Sequence, residues 1–369
     1  MARTTRVVFL MIGVGIAVWA PLVPDAKARL GLDDGQLGTL LLGLGVGGLL
    51  ALPVAGPLVQ LRGPRAVMLG AGLVFCALLP ALALAPSQLL LAVALVLLGA
   101  SAGAVDIAMN AQAAAVETAT GRTLMSGFHG AYSAGGLLGS VAMMVMLAQG
   151  VAPALCAGVL GGGCAVALVL RAGSMLPRAR DAEAPRLVLP RGRLAGLGAL
   201  CFIAFLLEGT ILDWSGVYIR FVLGQDPARS GLGFAALSVA MTVGRLSGDA
   251  IVRRFAPVPV LLVGSALATA GFALAASSHG LAAFVVGCGV VGLGVANMVP
   301  ILFSAAGRTP GMAAGAAIAA VATPGYAGLL AGPVAVGWVA QASSLPVAFA
   351  GLALLAAVVG LAARRTVGG

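Results

Sequence analysis

The chain has 369 residues, of which 61% are hydrophobic and 9% charged, where a soluble protein carries about 25% charged residues to keep its surface wet. So few charges cannot cover a water-facing surface, which excludes a soluble enzyme or nucleic-acid-binding module. The formal net charge of +10 comes from arginines and the single Lys27, and in an apolar chain such charge orients helices across a bilayer.

Apolar runs of about 20 residues, each able to cross a ~30 Å hydrocarbon core as a helix, recur from end to end. Twelve spans are expected near 7–25, 35–60, 66–85, 88–112, 124–148, 152–171, 195–219, 229–252, 258–276, 280–303, 312–340 and 344–363. The first follows Met1–Arg6 and precedes Ala26-Lys27-Ala28 in the manner of a signal peptide, but its run is too long for a signal core and it is read as a span. Glycines at Gly43-x-Gly45-x-Gly47-Gly48 and Gly99-x-x-x-Gly103 suit close helix packing in lipid. Cys76, Cys156, Cys164, Cys201 and Cys288 all fall inside apolar runs without metal spacing and read as small packing residues.

With an even number of spans both termini share a side. Sixteen arginines fall on that side against Lys27, Arg29, Arg220 and Arg229 opposite, so both termini are expected in the cytoplasm of a bacterial inner-membrane protein. A polar segment from Arg171 to Arg193 divides the chain into six-helix halves, 1–172 and 194–369, joined by a cytoplasmic linker at 173–193. The basic turn at Leu61-Arg62-Gly63-Pro64-Arg65 is echoed about 190 residues on by Val252-Arg253-Arg254-Phe255-Ala256. An all-α membrane fold of two pseudo-symmetric six-helix bundles, with a polar cavity near the midplane, is the layout of an alternating-access carrier.

Ionisable residues inside spans are expensive and mark function. In the fourth span Asp106 and Asn110 lie four apart on one helix face, with Glu117 continuing the stripe. In the fifth, His129 precedes Tyr132 and Ser133 and can carry a proton. In the seventh, Glu208 near the midplane is the expected coupling residue. Asp213, beside Trp214 and turned about 140° away from Glu208 on a regular helix, binds solute, closes an outer gate or pairs with Arg220. Arg245 and Asp249 in the eighth span are four apart and able to pair. Asn297, beside Pro300 in the tenth, is placed at the repeat position of Asp106 by an offset of 191. Trp19, Tyr326 and Trp338 are assigned to the cavity wall or the membrane interface.

These residues resemble the major facilitator superfamily over the full length. The turn after the second span is similar to its gating motif: Gly56, Leu58, Gly63 and Arg65 match, Gln60 stands where the motif has aspartate, and Pro64 where it has arginine. The resemblance implies a cytoplasmic gate at Gly56, Gln60, Arg62, Gly63, Arg65, Glu117 and Arg122, with Asp249, Arg253 and Arg254 in the second half. Asp106-x-Ala108-Met109-Asn110-x-Gln112, Phe128-His129-Gly130, Glu208-Gly209 and Asp213-Trp214-Ser215 further resemble the MosC/YbjJ-like branch, whose MosC is implicated in transport of an amino-inositol. The fourth span has no arginine and the fifth no Gly-Pro step, which sets the sequence apart from drug/proton antiporters of that superfamily.

The expectation is therefore a secondary transporter for a sugar-, polyol- or amine-like solute, proton-coupled, monomeric, and without cofactor, metal or nucleic-acid partner. A multidrug or metabolite antiporter is the alternative. An integral-membrane enzyme or a receptor is the alternative class: no Asp-rich metal motif appears, His129 and His279 are far apart, and no P-loop is evident.

Overall fold

The structure, a computed structural model, describes residues 1–120, 124–175, 191–310, 312 and 314–367. Inside its helices the side chains of Leu52, Glu117, Thr118, Met125, Ser126, Asp249 and residues 314–316 and 319 lie outside that description. The helices are α1 (Ala2–Leu30), α2 (Asp34–Arg62), α3 (Pro64–Leu84), α4 (Gln88–Thr120), α5 (Met125–Ala148), α6 (Pro153–Arg171), α7 (Arg193–Val217), α8 (Leu232–Phe255), α9 (Pro257–Ala276), α10 (Leu281–Val295), α11 (Met298–Gly307), α12 (Ala314–Ala342) and α13 (Leu345–Val367). Among the described residues eleven helical stretches are long and apolar enough to cross a membrane, α10 and α11 together forming one of them. Helix α8 supplies the twelfth expected span; Arg245, Asp249, Arg253 and Arg254 thin the apolar content of its 24 residues.

Local chemistry sets the ends of these helices. Pro64, Pro153 and Pro257 open α3, α6 and α9, where a missing amide hydrogen leaves no helical bond unmade. Gly31 closes α1 in the left-handed conformation at φ 62°, its amide meeting the carbonyls of Ala28 and Lys27. Beyond Val217 the chain makes one π-helical turn, Tyr218–Val222. Tyr218 leads it into an aromatic cluster, with ring centroids 4.4 Å from Phe284 and 5.1 Å from Phe349, and donates its hydroxyl to the carbonyl of Ala276 at 3.3 Å.

The chain forms two compact units. The first holds residues 1–32, 40–184 and 226–235, and the second 33–39, 185–225 and 236–369. In the first, α1 packs on α5, and α3 packs on both α4 and α6. In the second, α7 packs on α12, and α9 on both α10 and α13. The pairing is the same one repeated, first with fifth span, third with fourth and sixth.

Glycine makes the closest approaches, and these fix the repeat register. A methyl group at Gly99 would overlap the carbonyl oxygen of Leu44, and one at Gly292 would meet that of Leu237 at 2.7 Å; both pairs are displaced by 193. Likewise Gly135 abuts the Leu10 carbonyl and Gly328 that of Phe202. Without an aqueous hydrophobic drive between helices, such backbone contact supplies the dispersion and weak Cα–H···O bonding that hold spans together. The turns repeat too: Gly63 precedes α3 at φ 82°, ψ 158°, and Ala256 precedes α9 at φ 64°, ψ 160°.

Candidate functional site

In the second unit α7 and α8 bring together two groups predicted from sequence. Arg245 Nη2 lies 3.4 Å from Glu208 Oε2 and 3.5 Å from Oε1, the two side chains being about one quarter exposed. Arg245 thus has Glu208 as a carboxylate partner across helices; the side chain of Asp249, its other expected partner, lies outside the described residues. One residue before Arg245, the Gly244 carbonyl accepts a 3.0 Å hydrogen bond from Asn297 Nδ2. Asn297 sits at the break between α10 and α11 rather than inside a continuous span. Gly248 leaves the room its amide occupies. The 193-residue register corrects the expectation for Asn297: it corresponds to Ala104, and Asp106 corresponds to Val299. A cavity of about 120 Å³ opens at this break, lined in part by Gly248, Asn297, Ser304 and Arg308, with Arg308 Nη1 donating to Ser304 Oγ at 2.7 Å.

Asp213, one and a half turns beyond Glu208, meets a different environment. It is 5% exposed, and its Oδ1 has no hydrogen-bond partner among the described residues. The expected alternative of a pair with Arg220 is not realised. The π turn that follows α7 breaks the register that would have stacked the two, and the Arg220 guanidinium lies 5.4 Å over the Phe221 ring. Trp214 is fully buried against α12 at Gly337.

In the first unit Asn110 Nδ2 donates to Asp106 Oδ1 at 3.1 Å and to the Asp106 carbonyl at 2.9 Å, which keeps both side chains on one face of α4, half-buried. The His129 ring is exposed and stands edge-on to Phe9 at 5.3 Å. Tyr132 is half-buried, its carbonyl against Gly13 of α1. Trp19 is 2% exposed, its Nε1 without a partner among the described residues. Trp338 is exposed and donates to Thr39 Oγ1 at 3.3 Å, and Tyr326 stacks on Phe205 at 5.6 Å. A bond that motif reasoning passed over ties α4 to α1: Gln112 Nε2 donates to Thr5 Oγ1 at 3.0 Å. The signal was there in two polar residues with buried positions on apolar helices.

Of the gate residues, Gln60 and Arg62 are exposed at the end of α2, Gly56 and Arg65 half-buried, and Gly63 forms the turn. Arg253 and Arg254 are exposed at the end of α8. Arg122 and the side chains of Glu117 and Asp249 lie outside the described residues. Among the described residues no group of three His, Cys, Asp or Glu could hold a metal ion, and all five cysteines are free and buried.

A family model described as Major Facilitator Superfamily matches residues 7–323. An uncharacterised MFS-type transporter of Yersinia pestis is 46% identical over 365 residues, covering 98% of this chain and 94% of that protein. Membrane protein MosC of Rhizobium meliloti is 30% identical over 339 residues, 91% of this chain and 83% of that protein. Among solved structures, a D-xylose-proton symporter superposes with a TM-score of 0.80 at 14% identity, over 99% of this chain and 97% of that one.

Proposed function

The chain belongs to the Major Facilitator Superfamily, and from that premise we propose that this transporter moves a small polar solute across the bacterial inner membrane by alternating access, coupled to protons. The solute class is a sugar, polyol or amine. The observation that carries this reading is the Glu208–Arg245 pair held between two spans at 3.4 Å, since a charged pair in lipid persists where it meets solute or water. The acidic excess among the more accessible span residues, Asp106 and Glu208 against Arg245, favours a neutral polyhydroxy or cationic solute over a dianion. A fold shared with a protein described as a D-xylose-proton symporter agrees with both the solute class and the coupling.

In this reading residues 1–172 and 194–369 are the moving halves, 173–193 links them, and both termini face the cytoplasm by the arginine asymmetry. Arg245 orients solute hydroxyls while Glu208 sets its charge, and Asp106 with Asn110 offers hydrogen bonds from the first half. Gln60, Arg62 and Arg65, with Arg253 and Arg254, serve the cytoplasmic gate.

A thermal-shift screen of the purified protein against sugars, inositols, amines and amino acids tests the solute class. A hit at a hundred times its dissociation constant stabilises by about 2.7 kcal/mol, and its uptake into proteoliposomes follows an imposed pH gradient. Flux of that hit indifferent to the gradient would remove the coupling; a screen answered only by large apolar cations would point to the drug-antiporter alternative.

A further inference from the structure

We propose that Asp213, rather than Glu208, is the residue of α7 that carries the coupled proton, and that it occupies its buried position as the neutral acid. This rests on the proton-coupled reading above and assigns its carrier.

The two carboxyls of α7 differ in what surrounds them. Glu208 is a quarter exposed and faces a guanidinium at 3.4 Å, so its carboxyl has a charged partner across helices. Asp213 is 5% exposed with Oδ1 unbonded. The elements packed against α7 are α10, α11, α12, α13 and the π turn, and their titratable and charged side chains can be named. Helix α10 offers Cys288, α12 offers Tyr326, α11 offers none, and the π turn offers Tyr218, bonded to Ala276, and Arg220, stacked on Phe221. Arg364 and Arg365 of α13 lie at the opposite end. Arg193, at the start of α7, bonds the Thr366 carbonyl at 2.9 Å, so that end stands roughly 30 Å along the helix from Asp213 at 1.5 Å per residue. Asp34, whose carbonyl meets Gly337 beside Trp214, is itself an acid. Across α8, Arg245 is held on Glu208.

A carboxylate so enclosed and unpaired is strongly disfavoured. The occupant that neutralises it must need almost no room, and a proton satisfies that where a solute amine or a metal ion does not. Release then requires water to reach Asp213, which is the event alternating exposure provides. The step balances simply: the O–H bond at Asp213 breaks, and water takes the proton on the side to which the residue opens.

Infrared difference spectroscopy of the lipid-reconstituted protein, stepped from acid to alkaline buffer, reads this without a solute. The expected result is a protonated-carboxyl C=O band at neutral pH that fades on alkalinisation, persists in Glu208→Gln and is missing from Asp213→Asn. Asp213→Glu guards against a misfolded asparagine variant: it retains the band at a shifted frequency. A band untouched by Asp213→Asn, one removed by Glu208→Gln, or none in wild type overturns the assignment. If the band behaves as expected but flux of the screened solute ignores the pH gradient, the proton-coupled reading fails while Asp213 remains the neutral acid.

Discussion

Breaking the Arg245–Glu208 pair is the most quantitative perturbation the structure offers. At 3.4 Å the hydrogen bond is longer than the 2.7–2.9 Å of a strong charge-assisted bond, so attraction between the charges dominates. Coulomb's law gives about 5 kcal/mol at an effective dielectric of 20 and about 1 kcal/mol in water. Side chains exposed by 24% and 28% sit between these limits, and screening brings the coupling to roughly 2 kcal/mol. The assay is a double-mutant cycle of Arg245→Gln and Glu208→Gln followed by thermal unfolding in detergent. A thiol-reactive dye serves as reporter, because all five cysteines are buried and free until the chain opens. Each single variant is expected to lose about 4–8 °C, at 2–4 °C per kcal/mol for a unit of this size, and the double variant to lose much less than their sum. A coupling below about 0.5 kcal/mol, the error of additivity at independent sites, would refute the claim that these charges stabilise one another.

Three other sets of substitutions test the scaffold. Ala256 is the non-glycine residue at positive φ among the described residues, at φ 64°, ψ 160°, a region essentially reserved for glycine; Ala256→Gly is expected to stabilise by about 1 kcal/mol net of chain entropy, and Gly63→Ala to do the reverse, both read by the same thermal assay. Gly99→Leu and Gly292→Leu drive side chains into the carbonyls of Leu44 and Leu237 and should each abolish a monodisperse size-exclusion peak, whereas Gly163→Leu, in open space, should keep it. Asn297→Ala removes the bond to Gly244 and should destabilise by about 1 kcal/mol; a Tm unchanged to within a degree would show that this bond does not hold α8 to the helix break.

Span positions were legible because they rest on composition alone. Twenty apolar residues in lipid form a helix whatever their order, and the expected 124–148 and 258–276 became Met125–Ala148 and Pro257–Ala276. Relations between helices were less legible. Helical spacing put Arg245 and Asp249 within reach of one another, but no spacing rule reports that Glu208, 37 residues earlier, lies at 3.4 Å. The break at Asn297 has its sequence signal in Pro300, which lacks the N–H that would bond the Ala296 carbonyl four residues back, but no spacing rule ties the Asn297 side chain to the Gly244 carbonyl. The repeat offset read from basic turns was near enough to reveal two halves and too coarse to align their residues, since Gly63 and Ala256 share a conformation without sharing chemistry.

That aligned register separates scaffold from function. Where the two halves repeat a close interhelical contact, it is a glycine against a carbonyl: Gly99 with Gly292, Gly135 with Gly328. The ionisable residues deep in the spans have no such counterpart, whereas those at span ends do, Asp33 falling on Asp226 and Arg171 on Arg364. In the 193-residue register Asp106 falls on Val299 and Arg245 on Leu52. Helices α1 and α7 align at 192 or 193, which sets Glu208 against Gly15 or Ile16 and Asp213 against Ala20 or Pro21. Packing that repeats serves both halves alike, whereas polar groups present in one half only are expensive in lipid and bring the helices no closer. On the proposed reading, their one-sided positions assign solute and proton to different groups in each half: Asp106 with Asn110 in the first, and Glu208 with Arg245 and a separate Asp213 in the second.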